Sequence, residues 1–106
     1  MTNSTGQTTL TRRKILSLLE KNRDALMKYK VKRIGLFGSF AAGNQRKRSD
    51  IDFLVEFQEP TFDNFMGLSS RLERLFGRKI DLITPVGLSV HIRPFVEKEL
   101  RWYEVK

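Results

Sequence analysis

The 106-residue chain predicts an α/β fold, a small β-sheet backed by helices. Three observations carry that prediction. Apolar residues recur at helical spacing in separate stretches, short apolar runs of strand type lie between them, and Gly or Pro marks the junctions. The resulting order is helix, strand, helix, strand, helix, strand, helix, which suits helices packed on a sheet.

The elements follow in order. From Thr8 to Tyr29, Leu10, Ile15, Leu18, Leu19, Ala25, Leu26 and Tyr29 fall close to helical spacing. With Thr9 or Thr11 as N-cap, an amphipathic first helix with a basic outer face is expected. Val31 to Phe37 reads as the first strand, and Ala41-Ala42 begins a short helix that Gly43 and Asn44 end. Asp50 to Phe57 reads as the second strand. Alternation sets Ile51, Phe53, Val55 and Phe57 on the face opposite Asp50 and Asp52, so one side packs and the other is free for chemistry. Glu59-Pro60 ends that strand, and Thr61 or Asp63 can cap a helix through Phe65, Met66, Leu68, Leu72, Leu75 and Phe76 that Gly77 stops. Lys79 to Ile83 is the third strand. After Thr84-Pro85, Ser89 can cap a last helix with Ile92, Phe95, Val96, Leu100 and Tyr103 as its inner stripe. Trp102 and Tyr103 either close the core or belong to a partner-facing patch, and spacing leaves both open.

Composition narrows the function classes. One domain fits 106 residues and two do not, and 40% hydrophobic content fills a single core. The net charge of +8 points to an anionic partner, whether nucleotide, nucleic acid or acidic protein surface. Most of the excess is N-terminal: nine Lys or Arg precede Leu36 against only Glu20 and Asp24. The acids cluster instead between Asp50 and Asp63. The lack of cysteine excludes disulfides, thiolate metal sites and a cysteine nucleophile. No apolar stretch nears the roughly 20 residues that span a bilayer, and Met1 to Gln7 is polar and uncharged, unlike a signal peptide, so a cytoplasmic protein is expected.

Chemistry concentrates between Gly38 and Asp52. The apolar run Ile34 to Phe37 leads into Gly38-Ser39, where a turn would expose backbone N–H groups to a polyphosphate. Asp50 and Asp52 share a strand face, with Cα atoms roughly 6.6 Å apart at a rise of about 3.3 Å per residue. Asp81 joins them if its strand lies beside the second. Three oxygen ligands on neighbouring strands suit Mg²⁺, which favours carboxylates together with substrate phosphates. Taken singly, each piece has an ordinary reading: Ser-Asp-x-Asp is common turn composition, and Gly38-Ser39 without a following Lys-Ser or Lys-Thr is no Walker-type loop. Arg46-Lys47-Arg48 reads as a solvated loop and His91 receives no role.

In combination, Phe37-Gly38-Ser39-Phe40-Ala41, Ser49-Asp50-Ile51-Asp52-Phe53-Leu54-Val55-Glu56-Phe57 and Arg78-Lys79-Ile80-Asp81-Leu82 resemble the signature of the DNA polymerase beta type nucleotidyltransferases, in particular their minimal nucleotidyltransferase branch. The resemblance runs from about Ile34 to Arg93 with flanking helices. It implies one nucleotidyltransferase domain over residues 1–106, built on a small mixed β-sheet. It also implies transfer of a nucleoside monophosphate, AMP from ATP, to a hydroxyl acceptor with release of pyrophosphate. Asp50, Asp52 and Asp81 would be the catalytic carboxylates and the ligands of two Mg²⁺ ions, with Gly38, Ser39 and Ser49 binding the nucleotide. The implied partner is a HEPN-domain protein whose tyrosine is adenylylated, which makes the chain an antitoxin; homo-oligomerisation stays open. The branch commonly has Ala-Arg-Gly where this chain reads Ala41-Ala42-Gly43. Two other functions compete: an antitoxin acting chiefly by complex formation, and a basic nucleic-acid-binding protein using its first helix. The second is disfavoured because no aromatic platform accompanies the charge.

Overall fold

The computed structural model describes residues 10–105, so Thr9, one of the two caps considered for the first helix, lies outside the described residues. Strand β1 (Val31–Phe37) is the hub. It pairs antiparallel with β2 (Ile51–Phe57) on one side and with β4 (Arg101–Glu104) on the other, while β3 (Ile80–Ile83) joins β2 in parallel. The sheet order is therefore β3-β2-β1-β4, a small mixed sheet as expected.

The single first helix expected from Thr8 to Tyr29 is two helices, α1 (Arg12–Lys21) and α2 (Arg23–Lys28). Asn22 breaks it: its backbone leaves helical geometry at ψ 27° and its side-chain amide donates to Leu18 O at 2.8 Å. Asparagine offers the backbone such alternatives readily. Thr11 is the cap, its Oγ accepting from Lys14 N–H at 3.2 Å. Helix α3 (Gly38–Ala42) begins at Gly38 rather than Ala41, and left-handed Gly43 ends it. Helix α4 (Phe62–Phe76) runs between the expected signals, Thr61 capping Asn64 N–H at 3.1 Å and Gly77 turning left-handed.

The last helix departs most from expectation. Helix α5 spans Arg93–Glu99, and Ser89 accepts from His91 N–H in the preceding turn instead of capping it. Of the proposed inner stripe only Val96 is buried within the helix; Ile92 and Phe95 are 48% and 72% exposed. The chain is extended from Leu100, and Tyr103 belongs to β4, a fourth strand that helical spacing concealed. Pairing with the free edge of β1 outweighs local propensity there.

Two cores result. On one face of the sheet, Ile15, Leu19 and Leu26 from α1 and α2, with Leu68 and Leu72 from α4, bury Ile34, Leu36, Ile51, Phe53 and Val55. Each such side chain contributes about 1.5–3 kcal/mol when fully buried. The opposite face is not free along its length. Leu54, Leu88 and Val96 form a smaller core there, with Phe37, Ile83, Leu100 and Trp102 packed against it, so α5 covers the middle of the face and leaves one end open. Trp102 and Tyr103 thus close the two cores from opposite sides of β4. The Arg33 guanidinium stacks 3.8 Å over the Trp102 ring while its Nε and Nη2 hold the Glu56 carboxylate at 2.9 and 3.0 Å.

Gly35 seats β4 against β1. A Cβ there would stand 2.6 Å from Leu100 Cδ1 and 3.0 Å from Trp102 Cε3. Gly35→Ala should destabilise the protein by about 1–3 kcal/mol through overpacking, read as a lower urea midpoint; an unchanged midpoint would show that this contact does not set the seating of β4.

Candidate functional site

The open end of the second face is formed by the last residue of β1 and the first residues of β2 and β3. Register brings the acids together: Phe37 pairs with Asp52, and Asp52 with Asp81 across the parallel β2–β3 ladder. Neighbouring strands lie about 4.8 Å apart, so the Asp52 and Asp81 side chains stand side by side on one face. Asp50 lies one residue ahead of β2, which starts at Ile51 rather than at Asp50 as expected, and occupies the end of the loop over residues 43–50.

Gly38 completes the arrangement. Its φ of +75° favours glycine, and any Cβ would collide with the Asp52 carboxylate, so no other residue lets the turn from β1 into α3 lie against that acid. No side chain caps the start of α3, whose first residue, Gly38, lies beside Asp52. The Ser49 hydroxyl accepts from Arg46 N–H at 2.8 Å, tightening the turn before Asp50, and keeps its own O–H as a donor.

The 43–50 loop is tied to the body of the protein at both ends. Gln45 Nε2 donates to Leu10 O at 3.2 Å, while Arg78 Nη1 donates to Lys47 O at 3.1 Å and Ser49 O at 2.8 Å. Sequence reasoning placed Arg78 at the head of the signature segment that carries Asp81 but gave it no role of its own, and nothing in the pattern told where its guanidinium would reach. Arg46, Lys47 and Arg48 are exposed, in keeping with a solvated loop, and so is His91. Ala42 is exposed at the end of α3, and an arginine from another element, Arg12, donates to the neighbouring Ala41 carbonyl at 2.6 Å.

Crowding of like charge marks the site electrostatically. Partial burial, then the negative charges of Asp81 and Asp50 and a hydrogen bond with Asp81, push the Asp52 pKa up to about 6. Among the described residues no three acidic or histidine side chains are already drawn into a metal cage. The donors nevertheless fit Mg²⁺: they are carboxylate oxygens in mutual repulsion, and this ion completes its shell with water and substrate phosphate rather than with an all-protein cage. No helix among the described residues is long and apolar enough to cross a membrane.

Similarity to known proteins agrees with this geometry. The family model for the nucleotidyltransferase domain matches residues 16–103. A relative from Methanocaldococcus jannaschii, named a candidate protein adenylyltransferase, is 46% identical over 90 residues, covering 81% of this chain and 87% of that protein. Protein adenylyltransferase MntA of Thermococcus cleftensis is 36% identical over 93 residues, covering 86% of this chain and 94% of its own length. A crystal structure of a toxin–antitoxin with AMP-PNP shares the fold with a TM-score of 0.63 at 28% identity, over 88% of this chain and 72% of that one.

The raised pKa gives a signed expectation for the metal-free protein. An ordinary Asp titrates near 4, so folded Asp52 holds its proton more tightly than the unfolded chain does, and stability falls as pH rises from about 4 to about 6. Asp52→Asn removes that penalty. In EDTA its Tm should exceed the wild-type value at pH 7.5, with the gap closing below about pH 4; equal Tm values at pH 7.5 would show that the carboxylates do not repel one another in the fold.

Proposed function

The chain belongs to the nucleotidyltransferase domain family, and from that premise we propose that it transfers AMP from ATP to a hydroxyl group of a partner protein. The observation that carries this reading is the apposition of Asp52 and Asp81 on neighbouring strands with Gly38 lying against Asp52. The names of the relatives, protein adenylyltransferases, support a protein as acceptor, and the toxin–antitoxin structure with AMP-PNP supports an ATP-like donor. The acceptor we infer is a tyrosine of a HEPN-domain partner, in keeping with the family resemblance, which gives the chain an antitoxin role.

In this reading the Gly38 and Ser39 backbone N–H groups and the Ser49 O–H donate to the triphosphate, at the turn that Gly38 allows to lie against Asp52. Asp50, Asp52 and Asp81 would hold Mg²⁺, two ions in the two-metal arrangement, which when bound neutralises the phosphates and lowers the pKa of the acceptor hydroxyl. Asp81 is the exposed member of the three, so the acceptor oxygen enters from its side. That oxygen bonds to the α-phosphorus as the bond to the bridging α–β oxygen breaks. Pyrophosphate leaves and the hydroxyl proton passes to solvent. The chain need supply no covalent nucleophile.

Incubation with ATP labelled at the α-phosphate, Mg²⁺ and the protein encoded beside this chain should place label on that protein, whereas label at the γ-phosphate should not transfer. Asp52→Asn and Asp81→Asn should each lower transfer by about 100-fold or more, the scale on which loss of one electrostatic stabiliser acts. Stable complex formation without any transfer of label would overturn the enzymatic reading in favour of inhibition by binding. Calorimetry should show ATP affinity falling sharply in EDTA, and equal affinity with and without EDTA would remove the carboxylates from the nucleotide site.

A further inference from the structure

We propose that Arg78 is a positioning residue that fixes Asp50 by clamping the loop in front of it. The inference rests on the site reading above, in which Asp50 is one of the metal-holding carboxylates. Asp50 lies outside β2, so the ladder that holds Asp52 and Asp81 does not hold it. On its C-terminal side the Ile51 N–H is held by Lys79 O, and on its N-terminal side its backbone is set by what binds the residues just before it. One guanidinium nitrogen of Arg78 donates to the carbonyls of both Lys47 and Ser49, at 3.1 and 2.8 Å. The Ser49 carbonyl belongs to the peptide bond that leads into Asp50, so this hydrogen bond acts directly on the peptide plane from which the carboxylate is hung.

The clamp has a fixed base. Arg78 follows the Gly77 cap of α4 and precedes β3, and two residues after Ser49 the Ile51 N–H donates to Lys79 O at 3.1 Å, so the arginine and its target are bound through adjacent backbone. The guanidinium also lies 5.2 Å over the Phe40 ring of α3, a fully buried side chain. A single cation thereby links the three pieces that carry the site: α3 with Gly38 and Ser39, the loop with Ser49 and Asp50, and the approach to β3 with Asp81. A planar guanidinium can stack on a ring and donate in its own plane at once, which an ammonium cannot do. The other hydrogen bonds of the 43–50 loop, among them the turn closed by Ser49 N–H to Arg46 O at 3.0 Å and the Gln45 bond to Leu10 O, do not tie it to β3.

The test compares wild type, Arg78→Met, Asp50→Asn and the double variant. Amide hydrogen exchange should quicken at least about tenfold over residues 46–51 in Arg78→Met while the amides of β1 stay protected, a local loosening. Mn²⁺ affinity, measured by calorimetry on the nucleotide-free protein, should fall to about the value of Asp50→Asn, and the double variant should lose little more, because both changes remove the same ligand. Penalties that simply add, or Mn²⁺ affinity unchanged in Arg78→Met, would overturn the proposal. Should Asp50→Asn leave Mn²⁺ affinity intact, the metal reading of Asp50 fails, and the exchange experiment alone decides the clamp. If Arg78→Met does not fold, Arg78→Lys carries the same comparison, with an intermediate loss expected and full retention of both properties counting against the clamp.

Discussion

The parallel register of β2 and β3 is the constraint on which the rest depends. Left alone, Asp52 and Asp81 would separate, since two carboxylates on adjacent strands repel. What holds them together is on the other face of the same strands: Ile51 and Phe53 pair with Ile80 and Leu82, all buried. Because side chains alternate with a period of two, a slip of one residue would turn these apolar side chains outward and the acids inward. A slip of two would keep the faces but set the two acids a further two residues apart. Burial on one face thus enforces charge apposition on the other, and hydrophobic packing serves as the source of the site's electrostatic tension.

The net charge shows the same division of labour at longer range. The chain carries +8 in total, with its bases concentrated ahead of Leu36 and its acids after Asp50. At physiological ionic strength charges interact over about 8 Å before screening dominates. The net positive charge therefore favours arrival of a polyanion, while the three carboxylates repel it at close range. A divalent cation resolves that opposition in the reading we favour.

What was legible in the sequence, and what was not, follows from how local each feature is. Strand β1 and helix α4, with Thr61 and Gly77 at its ends, were readable because alternation and capping are decided within a few residues. So was the family to which the chain belongs, carried by Gly38-Ser39 and by Asp50, Asp52 and Asp81 in order. The break at Asn22 was not readable, since the apolar spacing on its two sides continues a helical pattern. Strand β4 was concealed more deeply: Val96, Leu100 and Tyr103 have helical spacing, and only the unpartnered edge of β1 decides that Arg101–Glu104 is extended. The contact that Arg78 makes was hidden for a related reason, because the reach of a long side chain to carbonyls some 30 positions earlier leaves no periodic trace.

The position of β4 carries a consequence for how the molecule assembles. Phe37 meets Asp52 across 15 residues, whereas Leu36 must meet Arg101 across 65. Closing longer segments costs more chain entropy and slows folding. The three-strand half with Asp52 and Asp81 can form first, and the last strand with Trp102 joins a sheet already built. By the same reasoning the β1–β4 pairing is the costliest of the three to form again once it has opened.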